Sequence, residues 1–186
     1  MHPIKYLWAI RALIYKPFFK KIGWFCYIGK PCFISGKNNI FIGNRTRIFP
    51  GIRMECINKG KIVIGNNCVL EQNVHIISEN EELSIDSNVT ISANVFISNV
   101  NHSYFDINKS VMDQEHIIKN THIGEGTFLG YGSVVLPGTI LGKHCIVGSN
   151  SVVNGIFPDN VVLAGVPAKI IKYFDKKSKS WKKNYD

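Results

Sequence analysis

Between Ile123 and Val153 the aliphatic positions fall six residues apart: Ile123, Leu129, Val135, Leu141, Val147 and Val153. Four positions after each of the first five stand the small residues Thr127, Ser133, Thr139, Cys145 and Ser151, and glycine takes the second place at Gly124, Gly130, Gly142 and Gly148. Neither a helix of period 3.6 nor a flat strand of period 2 needs this spacing, whereas a chain that turns a corner every six residues does. The same register runs in triplets through Ile42, Ile48 and Met54, through Ile64, Leu70 and Ile76, and through Ile85, Ile91 and Ile97, with a weaker start at Ile28 and Ile34. Three units per triangular turn predict an all-β solenoid over residues 23–166. The aliphatic side chain points inward, the small one fills the corner, and strands stack about 4.8 Å apart. Glycine and asparagine in "GNN", "SNV", "SAN" and "GSN" suit the bends because both tolerate positive φ. The register fails at 55–63, 77–84 and 98–122. These stretches are expected to leave the coil as loops, and the longest is where a rigid repeat scaffold would carry function.

The ends follow other patterns. In residues 1–22, Leu7, Ile10, Leu13 and Ile14 recur at helical spacing between Pro3 and Pro17, which predicts a short amphipathic helix over 3–16. With Lys5, Arg11, Lys16, Lys20 and Lys21 among or beside Trp8, Tyr15, Phe18 and Phe19, the helix reads equally as a membrane-surface contact or as a segment packing its apolar face on the first coil. Residues 167–186 are a basic tail ending in "DKKSKSWKKNYD", expected to be a short helix or a frayed end.

The 186 residues, 45% of them hydrophobic, suffice for one domain with a continuous core. A formal net charge of +9 favours anionic partners such as phosphates, acidic polymers or lipid headgroups. No basic and aromatic reading module for nucleic acid appears. Cys26, Cys32, Cys56, Cys68 and Cys145 form neither a CxxC pair nor a zinc-spaced cluster, and Cys68 and Cys145 occupy the small inward slot, which reads as buried thiols of a reducing cytosol. "LWAIRALIY" is interrupted by Arg11, too short to span a bilayer, and not followed by a small-residue cleavage site.

The repeat resembles that of the bacterial hexapeptide-repeat acyltransferases, which are left-handed parallel β-helices. The segment "IGEGTFLGYGSVVLPGTILGKHCIVGSNSVVNGIFPDNVVLAGVPAKIIK" is similar to the C-terminal half of their sugar O-acetyltransferase branch, with "AGVPAKIIK" the most specific part. The resemblance implies transfer of an acetyl group from acetyl-CoA to a sugar hydroxyl in surface polysaccharide biosynthesis. It also implies a homotrimer with active sites between subunits, and no metal. In this branch a histidine follows an "NV.IS" unit in the long loop. Here "NVFISNVNHSYFD" puts His102 in that place, as the base that takes the acceptor's proton and returns it to the CoA thiolate.

Motif onto motif, the resemblance also implies a pantetheine groove along Gly130, Tyr131, Ser149, Asn154 and Gly155, with Lys169 and Lys172 toward the phosphates and a backbone N–H near Gly130 or Tyr131 for the oxyanion. Glu71 falls where relatives carry a substrate-contacting asparagine, and Asn101, Tyr104 and Asp106 flank the histidine as acceptor-site candidates. Phe128 stands in place of a common tryptophan, and "SVVNG" lacks a lysine frequent in relatives. His75, His116, His122 and His144 read as loop or solvent-exposed histidines. Three other readings stand beside this one: N-acetylation of an amino sugar nucleotide, a non-catalytic membrane-associated scaffold, and a metal-dependent carbonic anhydrase of the same fold. The last needs histidines five residues apart, where this chain has Ile107 and Ile117. The expected location is cytoplasmic, with peripheral attachment to the inner face of the membrane through the N-terminal helix.

Overall fold

A computed structural model describes residues 3–184. The six-residue step closes into a triangular parallel β-solenoid. The first side stacks seven strands from Lys21–Ile22 to Ile156–Phe157, the second seven from Tyr27–Ile28 to Val161–Gly165, and the third six from Phe33–Ser35 to Val152–Val153. All of these pairs are parallel and in register, with Ile91 on Leu129 and Leu129 on Val147 as one column. The repeat positions form the core: Ile28, Ile48, Leu70, Ile91, Leu129, Val147 and Leu163 are wholly buried.

Glycine and asparagine take most of the left-handed corners, and Phe25, Arg45 and His144 take others. In most units the left-handed φ falls on the fourth place, as at Asn67 (54°), Asn88 (63°) and Gly126 (70°). The second-place glycines are needed for close approach instead: a Cβ on Gly130 would stand 2.6 Å from the Val147 carbonyl of the next coil.

Two of the three expected loops are tight corners. Arg53–Ile57 and His75–Glu79 are third-side strands lengthened to five residues, paired along their whole length from Arg53–His75 to Ile57–Glu79. Each then turns sharply at Asn58 (φ 53°) or Asn80 (φ 56°). Only 98–122 leaves the solenoid, and it is not irregular throughout: Val100–His102 and His116–Ile118 pair antiparallel as a two-stranded ribbon.

The N-terminal helix α1 (Ile4–Tyr15) forms where its spacing predicts and ends in a 3-10 turn, Lys16–Phe18, that contains Pro17. It caps the open end of the solenoid. Along this side of the body the carbonyl that closes a strand accepts from the preceding coil, as Ile48 accepts from Gly29. Ile28 in the first coil has no preceding coil and accepts from Arg11 Nη1 at 3.1 Å. The packed face is not the expected one. Trp8 and Ala12 are buried, Trp8 against Tyr27 and Phe49, whereas Leu7, Ile10, Leu13 and Ile14 face outward.

The C-terminal tail is neither helix nor frayed end. Ala168–Asp175 folds back antiparallel on Val161–Gly165, and Ser180–Lys183 pairs antiparallel with Ala168–Asp175 in turn, extending the second side. Phe174 stacks edge-on with Trp181 at 5.5 Å and Lys182 pairs with Asp175, contacts that favour a strand pair over a helix.

Candidate active site

The ribbon starts from a buried neck. Asn99 is fully buried; its Oδ1 accepts from the Glu79 amide at 2.8 Å, and its Nδ2 donates to Ser78 Oγ and the Glu79 carbonyl. Thr121 Oγ1 donates to the Ser98 carbonyl at 3.0 Å, and the Lys119 amide to the Asn99 carbonyl at 2.9 Å. Beyond the ribbon the apex wraps around Gln114. Its Oε1 accepts from Ser103 Oγ and the Asp106 amide, while its Nε2 donates to the Asp106 and Lys109 carbonyls. The excursion is therefore hydrogen-bonded at both ends, which is what holding a catalytic side chain requires.

Antiparallel pairing sets His102 directly opposite His116. Their rings meet edge to face, with centroids 4.6 Å apart at 89°. Glu79, 5% exposed, bonds His116 Nδ1 through Oε2 at 2.5 Å and accepts from Asn58 Nδ2 through Oε1 at 2.8 Å. A carboxylate can only accept, so the bond keeps the Nδ1 proton on His116 and fixes its ring. Glu79 occupies this position because the third-side strand is lengthened by two residues, and Asn58 because the corner below is lengthened likewise. His116, which reads from sequence as a plain loop histidine, is thus brought into the site by a pairing between residues far apart in the chain. A histidine facing a histidine across a ribbon leaves no trace in local spacing.

Two cavities adjoin along the ribbon. One of about 300 Å³ is lined by His102, His116, Ile57, Ile77, Phe96 and Pro137. The other, about 260 Å³, is lined by Tyr104, Phe105, Lys119 and Asn154. Asn101 and Pro137 border both. Asn101, Tyr104 and Asn154 are therefore gathered beside His102, with Gly155 next along the chain. Asp106 is spent inside the loop on Lys109 Nζ and the Asn108 amide.

Glu71, Gly130, Tyr131 and Ser149 lie elsewhere within one chain. They follow second-side strands at the corner between the second and third sides, whereas the ribbon leaves from the corner between the third and the first. Glu71 and His102 therefore stand at different corners of one chain. The Gly130 amide is committed to Val147 O at 2.9 Å, part of the ladder, while the amides of Tyr131 and Ser149 make no hydrogen bond among the described residues. Tyr131 Oη accepts from Asn94 Nδ2 at 2.6 Å. Lys169 and Lys172 are exposed on the folded-back strand and have no carboxylate partner among the described residues.

His75, His122 and His144 have structural places on or beside the coils. His75 Nε2 meets Glu55 at 2.9 Å, His122 Nδ1 meets Ser84 Oγ at 2.9 Å, and His144 turns a corner at φ 53°. Four cysteines are buried and Cys32 is exposed. Burial pushes the Cys56 and Cys145 thiols up to about 11.

Comparison with known proteins agrees with this architecture. Residues 120–155 match the family model described as bacterial transferase hexapeptide (six repeats). The chain is 36% identical over 161 residues, 82% of its length and 81% of the relative's, to WbbJ of Escherichia coli (strain K12), provisionally named a lipopolysaccharide biosynthesis O-acetyl transferase. Two solved structures share the fold. One is AntD, an N-acyltransferase from Bacillus cereus in complex with dTDP and 3-hydroxybutyryl-CoA, with a TM-score of 0.78 at 18% identity over 90% of each chain. The other is galactoside acetyltransferase in complex with coenzyme A, with a TM-score of 0.69 at 24% identity over 100% of this chain and 79% of that one. The repeat, the closed solenoid and the near-full-length relative together establish that the chain belongs to the bacterial hexapeptide-repeat acetyltransferases.

Proposed function

We propose that this enzyme transfers an acetyl group from acetyl-CoA to a sugar hydroxyl in surface polysaccharide assembly, with His102 as general base. The observation that carries the reading is His102 on a hydrogen-bonded ribbon, braced by His116 and the buried Glu79 over a cavity, in a chain 36% identical to a relative provisionally named a lipopolysaccharide biosynthesis O-acetyl transferase. His102 takes the hydroxyl proton as the oxygen attacks the thioester carbonyl. The tetrahedral intermediate then collapses, its C–S bond breaks, and the imidazolium returns the proton to the departing CoA thiolate. His116 and Glu79 hold the His102 ring in place and do not themselves exchange protons with substrate.

The pantetheine arm runs past Gly130, Tyr131, Ser149, Asn154 and Gly155, with Lys169 and Lys172 toward the phosphates. The uncommitted Tyr131 or Ser149 amide stabilises the oxyanion in place of Gly130, whose N–H the ladder consumes. Asn101 and Tyr104, sharing a cavity with Asn154, contact the acceptor, and Glu71 contacts it from the second corner. The two groups of residues lie at different corners of one chain, which supports a homotrimer whose side-by-side coils complete each site from two subunits.

The test is acceptor-dependent release of free thiol from acetyl-CoA, run on sugars, polysaccharides and amino sugar nucleotides. Release with hydroxyl acceptors, abolished by His102→Ala, supports the assignment. Release only with amino acceptors would move it to N-acetylation, and the absence of both turnover and CoA binding would leave a scaffold.

A further inference from the structure

The outer face of α1 is built the wrong way round for water. Leu7, Ile10, Leu13 and Ile14 are each more than half exposed, while the cations of the helix turn toward the protein. Arg11 bonds the Ile28 carbonyl, Lys5 Nζ lies over the Tyr27 ring at 5.5 Å, and Lys16 Nζ sits 3.3 Å from the centre of the Trp24 ring. A surface helix normally does the opposite. Because α1 caps the end of the solenoid, this apolar face looks away from every coil.

The exposed apolar surface continues from the helix to the first corner. Phe18 is 62% exposed, Trp24 65% and Phe25 84%. Phe25 holds φ 58° at a corner place that the coils above give to Arg45, Asn67, Asn88, Gly126 and His144, none of them as apolar. A bulky residue in left-handed backbone is costly, and at this exposure the solenoid core gains nothing from its ring. Trp24 and Phe25 border an open groove of about 450 Å³ with Arg45.

Charge selects the occupant. Before Glu55 the chain carries no Asp or Glu, and Lys20, Lys21, Lys30, Lys37 and Arg45 are exposed there with no carboxylate partner among the described residues. Joining two copies through this end would press two acid-free cationic surfaces together. An anionic bilayer instead neutralises them while accepting the aliphatic and aromatic side chains. The 12-residue helix is too short to cross a bilayer and suits the interface.

We propose that this end of the solenoid docks on an anionic lipid bilayer. α1 lies in the interface with Leu7, Ile10, Leu13 and Ile14 inserted, and Trp24 with Phe25 forms a second anchor. Three to four coil spacings of about 4.8 Å then set His102 roughly 15–20 Å from the surface, within reach of an acceptor carried on a lipid. Only that last step rests on the transferase reading.

The test is co-sedimentation of the full chain with vesicles of phosphatidylglycerol and phosphatidylethanolamine, against phosphatidylcholine alone, at about 0.1 M salt. The native chain is expected to bind the anionic vesicles and scarcely the neutral ones. Ile10→Asp with Leu13→Asp should weaken binding by about tenfold or more, given the cost of placing carboxylates at that interface. Phe25→Asn, which relieves the backbone, should weaken it less, and circular dichroism reports that the variants are folded. His102→Ala should bind like the native chain, so a failure of docking and a failure of the catalytic assignment are told apart. Absent binding, or equal binding by the native chain and the double variant, overturns the proposal. So does a drop in oligomer mass in the double variant, by sedimentation velocity, when the native chain ignores vesicles: that result would give the face to a second copy.

Discussion

The coils from Thr121 to Phe157 and the ribbon that precedes them use polar groups in opposite ways. In the coils the strand amides are consumed by the neighbouring coils, buried Thr127, Ser133 and Thr139 sit at corners, and the aliphatic column does the holding. In the ribbon the aliphatic contribution is slight: Tyr104, Phe105 and Ile107 lie open to solvent, and the segment keeps its shape through the buried polar neck of Asn99, Ser78 and Glu79 and the Gln114 clasp. A repeat that satisfies its own backbone has little left with which to do chemistry. The residues free to act are those that the repeat expels and a hydrogen-bonded anchor then fixes. The site is positioned by polar contacts on a scaffold stabilised by apolar ones.

Substitutions can separate the two regions. The largest effect belongs to the coils: Leu129→Ala empties part of the central column and should cost about 2–5 kcal/mol of stability, read by thermal or chemical unfolding. His102→Ala, on an exposed ribbon position, should leave unfolding unchanged while lowering kcat by about 10²-fold or more. If it instead lost stability as Leu129→Ala does, the division between scaffold and site would fail.

Glu79→Gln tests the junction between them. It keeps an amide oxygen toward His116 and removes the charge, and should lower kcat by about tenfold with the KM for acetyl-CoA unchanged, because it loosens the proposed base and leaves the proposed pantetheine groove alone. An equal rise in KM would make Glu79 a general structural residue. The smallest effect is on the outer surface of the third side. Hydrogen bonds from Arg53, and next from His75, hold the Glu55 carboxyl below its usual range. A lowered folded pKa gives stability that is present above the ordinary carboxylate range and is lost as pH falls through the lowered value. Glu55→Gln should therefore cost less than about 1 kcal/mol at neutral pH, with the gap to the native chain closing in acid, as expected for a solvent-screened pair.

The solenoid was legible in the sequence because a six-residue turn repeats its requirement at every step, so each unit confirms the last. His102 was singled out as the candidate base by likeness to a motif, not by any property of its own neighbourhood. Glu79 and His116 were not legible. Glu79 falls in one of the register breaks, which reads as a loop until the strand is seen to run two residues longer, and His116 gains its meaning from a partner across the ribbon. The terminal hairpin was missed because its exposed strands are set by pairing with Val161–Gly165, a tertiary contact, while their composition is that of a solvated basic tail.

What the sequence determined alone is the coil: its period, its inward column, its corners, and the excursion it must make after Ser98. These are local demands of backbone geometry and side-chain volume, written again in every unit. The tertiary structure decided which side of α1 meets the protein, which glycines serve close approach, and which histidine stands against His102. Each of these depends on the surface brought up by a distant part of the chain, and no local pattern encodes that surface.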